Sequence, residues 1–156
     1  MTLRIRCIIV ALSALLVLPS CNRAEEQIGP IENLTIERHG SVGATLSFDI
    51  TNNLSRDIRV VRGEIGFCYR GVEIGVATLK GEIIIPKSGR HHSKSLWRIA
   101  TEDPASMQML VSRIESELWE DISLNIDMVV KSGIGKRHIV EESLPIESLQ
   151  NILRRQ

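Results

Sequence analysis

Aromatic side chains make up only 3% of this 156-residue chain: two Trp, one Tyr and two Phe. Single-stranded nucleic acid is held largely by stacking bases on aromatic rings, so this scarcity removes the usual platform. Charge of one sign is also missing. Lys plus Arg equals Asp plus Glu over the whole chain, and without Arg4 and Arg6 near the start, 17 basic side chains face 19 acidic ones. Phosphate backbones are bound through an excess of basic groups that displaces counterions, and the composition supplies no such excess. Nucleic acid is therefore not an expected partner.

Cysteine is equally sparse. Cys7, Cys21 and Cys68 are widely separated, with no Cys-x-x-Cys pair, which excludes a disulfide framework and a zinc ribbon. Cys68, alone in an apolar stretch, reads as a small buried hydrophobe, with a reactive thiol as the alternative. Long apolar runs are missing as well. The longest covers 7–18, about 12 residues, where a membrane-spanning helix needs about 20.

That stretch has another use. It follows Arg4 and Arg6 and ends in Pro19-Ser20-Cys21, the order of charged, apolar and small segments found in an export signal. Leu18-Pro19-Ser20-Cys21 resembles the lipobox of bacterial lipoproteins, with Pro19 standing where a small unconstrained residue is usual. The resemblance implies a signal peptide over 1–20, cleavage after Ser20, and a diacylglyceryl group on the Cys21 sulfur. The membrane is then a partner through the lipid on Cys21. An ordinary secretory leader cleaved nearby is the competing reading. Residues 21–30 are polar and end in Gly29-Pro30, as expected of a short tether. Asn22, rather than Asp, follows the cysteine, and by resemblance to the enterobacterial sorting rule this implies the outer membrane, periplasmic or surface-exposed.

About 136 residues remain after Ser20, enough to bury roughly two-thirds of the unfolded surface and form one domain, here placed at 31–147 with a tail at 148–156. Its dominant pattern is period two. Val42, Ala44, Leu46, Phe48 and Ile50 alternate with polar residues, as do Ile122, Leu124, Ile126, Met128 and Val130, so each set predicts a half-buried strand. Between Ile58 and Tyr69 the apolar parity changes near Gly63, which predicts a β-bulge or a strand that switches sheets. Glycine-containing turns separate further short strands, including Arg70-Gly71, and Pro86 closes the run Ile83-Ile84-Ile85. Such even spacing predicts a mainly β protein, an immunoglobulin- or fibronectin-III-like antiparallel sandwich of about seven strands. The exception is 101–120, where Asp103 as N-cap, Pro104 as first helical residue and Met107, Leu110, Val111, Ile114 and Leu118 predict one amphipathic helix. A short helix over Leu149, Ile152 and Leu153 is a further expectation.

The run from Val42 to Ile99 resembles the late-embryogenesis-abundant type 2 family, also called the water-stress and hypersensitive-response domain. The matching stretches are "ATLSFDITN" ending at Asn52, "IRVVRGEIGFCYRGVEIGVATLKG" and "IIIPKSG". The family usually has Asn-Pro where this chain has Asn52-Asn53. The resemblance implies a seven-stranded sandwich with one helix and a non-enzymatic role in stress protection or close to a membrane.

No catalytic constellation emerges from the residues. His91 and His92 are adjacent on a predicted strand, so they leave opposite faces and cannot easily share a metal; with His39 and His138 they read as solvated histidines. "HGSVG" at 39–43 has the look of a nucleophile elbow, but a hairpin turn is expected there. The pairs Glu25-Glu26, Glu120-Asp121 and Glu141-Glu142 read as solvated charge. No catalytic, metal or cofactor-binding residue is therefore assigned, no cofactor is expected, and the one modified residue is Cys21. The expected function is a lipid-anchored cell-envelope sandwich that binds or protects other macromolecules, with an envelope protein as possible partner. The alternative is a carrier of lipid or another small apolar ligand, held in a cavity beneath the Met107–Leu118 helix.

Overall fold

A computed structural model describes residues 28–29, 32–40, 42–116 and 118–146. The proposed signal peptide, Cys21, most of the tether and the 148–156 tail lie outside the described residues. The elements are β1 (Glu32–His39), β2 (Gly43–Asn52), β3 (Ile58–Tyr69), β4 (Val72–Lys80), β5 (Ile83–Ile85), β6 (Gly89–Ala100), α1 (Pro104–Glu115), β7 (Ile122–Ser132) and β8 (Gly135–Pro145). All strand pairs are antiparallel. They follow the order β1-β2-β6-β4-β3-β7-β8, with β5 attached to the first residues of β3.

β4 turns this ribbon into a sandwich. Its first part pairs with β3 from Val72 to Thr78, and its last part pairs with β6 from Val76 to Lys80. The sheet folds over at that strand, and the inward faces of the two halves share one core. Leu46, Phe48 and Ile50 of β2 and Trp97 of β6 meet Ile65 of β3 and Leu124, Ile126, Met128 and Val130 of β7 in a single apolar cluster. The protein is thus a mainly β antiparallel sandwich with one helix among the described residues, as the alternating pattern led one to expect. The strands number eight among the described residues, the short Ile83–Ile85 run being a strand of its own.

The parity change in β3 is a bulge. The β3–β7 register shifts between Val60 and Arg62, so Val61 is the extra residue, and buried positions pass from Ile58 and Val60 to Gly63 and Ile65. Gly63 then serves a close approach. A Cβ there would lie 3.1 Å from the Trp97 ring and 3.3 Å from the Leu79 side chain, so the indole reaches across β4 only because that carbon is missing.

α1 starts as its sequence predicts. Asp103 accepts a hydrogen bond from the Ser106 backbone N–H, and Pro104 occupies the first turn, where its missing N–H costs nothing. Its end differs from the prediction. The helix stops at Glu115, Leu118 lies beyond it and is mostly exposed, and Trp119 turns into the core. The apolar stripe is therefore Leu110, with Met107 and Ile114 half-buried beside it. Val42 differs too, lying in the β1–β2 turn and exposed rather than inward.

Among the described residues, the two outermost strands of the order have no partner on their outer side. β1 and β8 end the strand order, and their exposed positions carry charge: Glu32, Glu37 and Arg38 on β1, Lys136, Glu141 and Glu142 on β8. Glu141-Glu142 thus sits exposed within a strand. β1 is further interrupted by a register shift between Glu32 and Thr35, and β8 ends at Pro145.

Candidate functional site

Five non-glycine residues among those described have positive φ, and three of them, Arg70, Asp121 and Ser143, line one cleft. L-residues avoid this region because Cβ crowds the carbonyl, so such a grouping marks a place the surrounding structure has to hold. Each has a local cause. Arg70 and Gly71 (φ 51 and 79) are the central residues of the two-residue β3–β4 hairpin, whose tight turn requires positive φ at both. Asp121 precedes β7. The Arg70 backbone N–H donates to the Asp121 carbonyl at 2.8 Å, and its guanidinium meets the Asp121 carboxylate at 3.1 Å. Ser143 sits on β8 beside the register shift between Leu124 and Ile126, its N–H donating to the Asn125 side chain at 2.9 Å.

The cleft is open to solvent, has a volume of about 370 Å³ and is completed by Trp119, Ile122, Ser123 and Pro145. The Trp119 indole N–H is buried without a partner among the described residues. Arg113 on α1 and Arg70 lie over the Tyr69 ring, at 5.1 and 5.2 Å from its centroid, which ties the helix to the end of β3. The cleft presents hydroxyls and one guanidinium already neutralised by Asp121. Among the described residues no histidine is hydrogen-bonded to Ser123 or Ser143.

Cys68 lies on the other side of β3 from the core. It is buried, but among polar neighbours: the Asn125 amide donates to its sulfur at 3.4 Å, Ser123 is its β7 pair, and the Glu73 carboxylate lies over Gly66 nearby. Burial first, and the Glu73 charge second, push the thiol's pKa up, so it stays protonated and is a poor nucleophile. The small-hydrophobe reading is right about burial and wrong about company.

The histidines are dispersed. His39 Nε2 bonds the Thr45 hydroxyl at 2.7 Å, His92 Nδ1 the Asp49 carboxylate at 2.8 Å, and His138 Nε2 the Asp127 carboxylate at 2.8 Å. His91 and His92 leave opposite faces of β6, the former half-buried and the latter exposed. Among the described residues no three His, Cys, Asp or Glu side chains converge as metal ligands do. His39 pairs with Gly43 where β1 turns into β2, as a hairpin requires.

Asp49 is the most heavily bonded carboxylate. Asn33, His92 and Arg90 all donate to it, and together they lower its pKa from 3.8 to about 2. A depressed carboxylate pKa contributes stability above its unfolded value, and that contribution is lost as pH falls through the folded value. The stability difference between wild type and Asp49→Asn is therefore expected to hold steady above about pH 4 and to shrink toward pH 2. Urea unfolding at stepped pH checks this, and a constant difference down to pH 2 would contradict it.

Sequence reasoning missed three of these features. Trp119 was hidden by Leu118 next to it, and Arg70-Gly71 was seen only as a turn. Asn52, fully buried at the end of β2, gave no sign of burial beyond ending an alternating strand.

No family model matches this chain, and no curated protein matches it. Among solved structures, one described as a crystal structure of a protein from Archaeoglobus fulgidus superposes with a TM-score of 0.45 at 12% identity, over 71% of this chain and 90% of its own.

Proposed function

We propose that this chain is a lipid-anchored cell-envelope protein of the late-embryogenesis-abundant type 2 kind, whose sandwich binds or protects other macromolecules without catalysis. The observation that carries the reading is the boundary at Leu18-Pro19-Ser20-Cys21, where an apolar leader gives way to a polar tether at a cysteine. A lone thioether-linked diacylglyceryl group supplies two acyl chains, enough for stable membrane attachment. The cleft bounded by Arg70, Asp121, Ser143 and Trp119 is the contact site this reading favours. The carrier alternative draws less support. A void beneath α1 would be its ligand site, and Leu110, Trp119 and Ile146 pack into the core there.

Intact-mass measurement of the detergent-extracted protein tests the proposal. The expected mass is that of the chain from Cys21 plus a diacylglyceryl group, and Cys21→Ala is expected to leave the protein without it. An unmodified N-terminus downstream of Cys21 in the wild type would overturn the anchor. In-cell crosslinking of wild type then identifies the envelope partner, and recovery of none would count against the binding role.

A further inference from the structure

The charge balance of the whole chain conceals a separation along the sandwich. Three segments close one end: the β2–β3 loop, the β5–β6 loop and the β7–β8 hairpin. Asn52 joins the first two, its amide donating to the carbonyls of Arg56, Ile85 and Pro86. The hairpin joins them through Gly133, whose absent Cβ would touch the Arg56 side chain at 3.3 Å. Residues 53–59, 86–90 and 131–137 carry Arg56, Arg59, Lys87, Arg90, Lys131, Lys136 and Arg137 against one acid, Asp57. Arg59 is 3.8 Å from Glu82, and Arg90 is paired with Glu32 and Asp49. The other five have no carboxylate partner among the described residues. The opposite end, which α1 closes, presents Glu73, Glu102, Asp103, Glu120 and Asp121 against Arg38, Arg70 and Arg113.

Two more observations belong to the basic end. Ile134, at the tip of the β7–β8 hairpin between Gly133 and Gly135, is fully exposed. The chain also arrives at this end: Ile28 bridges Asn52, and the Gly29 N–H donates to the Thr51 carbonyl at 2.8 Å.

We infer that the basic end, with Ile134 as its apolar tip, docks on a bilayer surface rich in anionic headgroups. Basic side chains close to such a surface are attracted to it, and a single exposed aliphatic residue at their centre can enter the interface. The inference rests on the anchor reading for geometry alone. Six residues separate Cys21 from Ile28, and the seven chain steps between them span at most about 25 Å, so an anchored chain would keep this end beside the membrane. The cleft and the acidic end would then face away, toward partners.

The test uses wild-type-length protein extracted from cells, with an environment-sensitive dye on Ile134→Cys or, as the distal control, on Val72→Cys. Wild type taken through the same labelling sets the background. Each is mixed with vesicles of phosphatidylcholine alone or with added phosphatidylglycerol, then read by flotation and by acrylamide quenching. Docking predicts that the dye at 134 is protected only on the anionic vesicles, and that high salt or Arg56→Glu, Lys87→Glu, Lys131→Glu and Lys136→Glu together remove the protection. The dye at 72 stays open to quencher throughout. Flotation with both vesicle types and an unprotected 134 overturns the docking and leaves the anchor. Flotation with anionic vesicles alone, with 134 protected, overturns the anchor and keeps the docking. Flotation with neither removes both. Circular dichroism of the four-site variant establishes that it is folded, since all four side chains are exposed.

Discussion

Asn52→Ala is expected to destabilise the protein by about 3 kcal/mol, a large loss for a polar residue. The side chain is wholly buried and is bonded only to the backbone of two loops, β2–β3 and β5–β6. Its amide nitrogen donates to the carbonyls of Arg56, Ile85 and Pro86 at 3.1–3.3 Å, and its carbonyl oxygen accepts the Leu54 N–H at 3.0 Å. Alanine would leave those groups without their partner in a part-buried place where water replaces it poorly. Unsatisfied backbone groups cost about 1–3 kcal/mol each when buried. Asn53 provides the control. It is exposed, and Asn53→Ala is expected within about 0.5 kcal/mol of wild type. Urea unfolding with an unchanged slope separates the two, and equal midpoints for both variants would refute the clamp.

Phe48→Ala is expected to cost more, about 4 kcal/mol. Phe48 is fully buried at the centre of β2, between Leu46 and Ile50, in the cluster both halves of the sandwich share. Truncation removes the transfer energy of the ring and leaves a cavity that strands on both sides, held by their ladders, can only partly close. Phe48→Leu restores much of the volume and is expected to recover more than half of the loss. Chemical denaturation measures both. A small effect for alanine would mean that the two sheet halves do not share one core.

Period two made the strands readable. Ile122 to Val130 and Ala44 to Ile50 are buried on the alternate positions that the residue order gives, because a half-wet sheet has no other way to hide them. The bulge in β3 was readable for the same reason, as a break in alternation beside a glycine. Val42 shows the limit. Period alone extends the strand by one apolar residue, and only pairing with β6, which starts at Gly43, says where it stops. Leu118 shows another. Helical spacing continues to it, but α1 ends at Glu115 and the chain turns Trp119 inward, a choice made by the shape of the core it has to fill. The cleft was not readable. Arg70, Asp121 and Ser143 are far apart in the chain, and what brings them together is the end of one hairpin meeting the start of β7 and a bulge in β8. The polar surroundings of Cys68 were invisible for the same reason, since Glu73 and Asn125 reach it across strands. Charge was misleading in sum and informative in place: near-neutral composition hid a basic end and an acidic end that appear only when loops are assigned to the same side.

The two free edges bear on how copies behave when crowded. An open sheet offers rows of backbone donors and acceptors that a second copy could join as an added strand. Glu37 and Arg38 along β1 and Lys136, Glu141 and Glu142 along β8 would have to be desolvated or brought against one another in such a pairing. The register shift in β1 and the missing N–H of Pro145 break the ladder besides. Crowded copies can therefore collide side by side and part again, so that density need not lead to fibres.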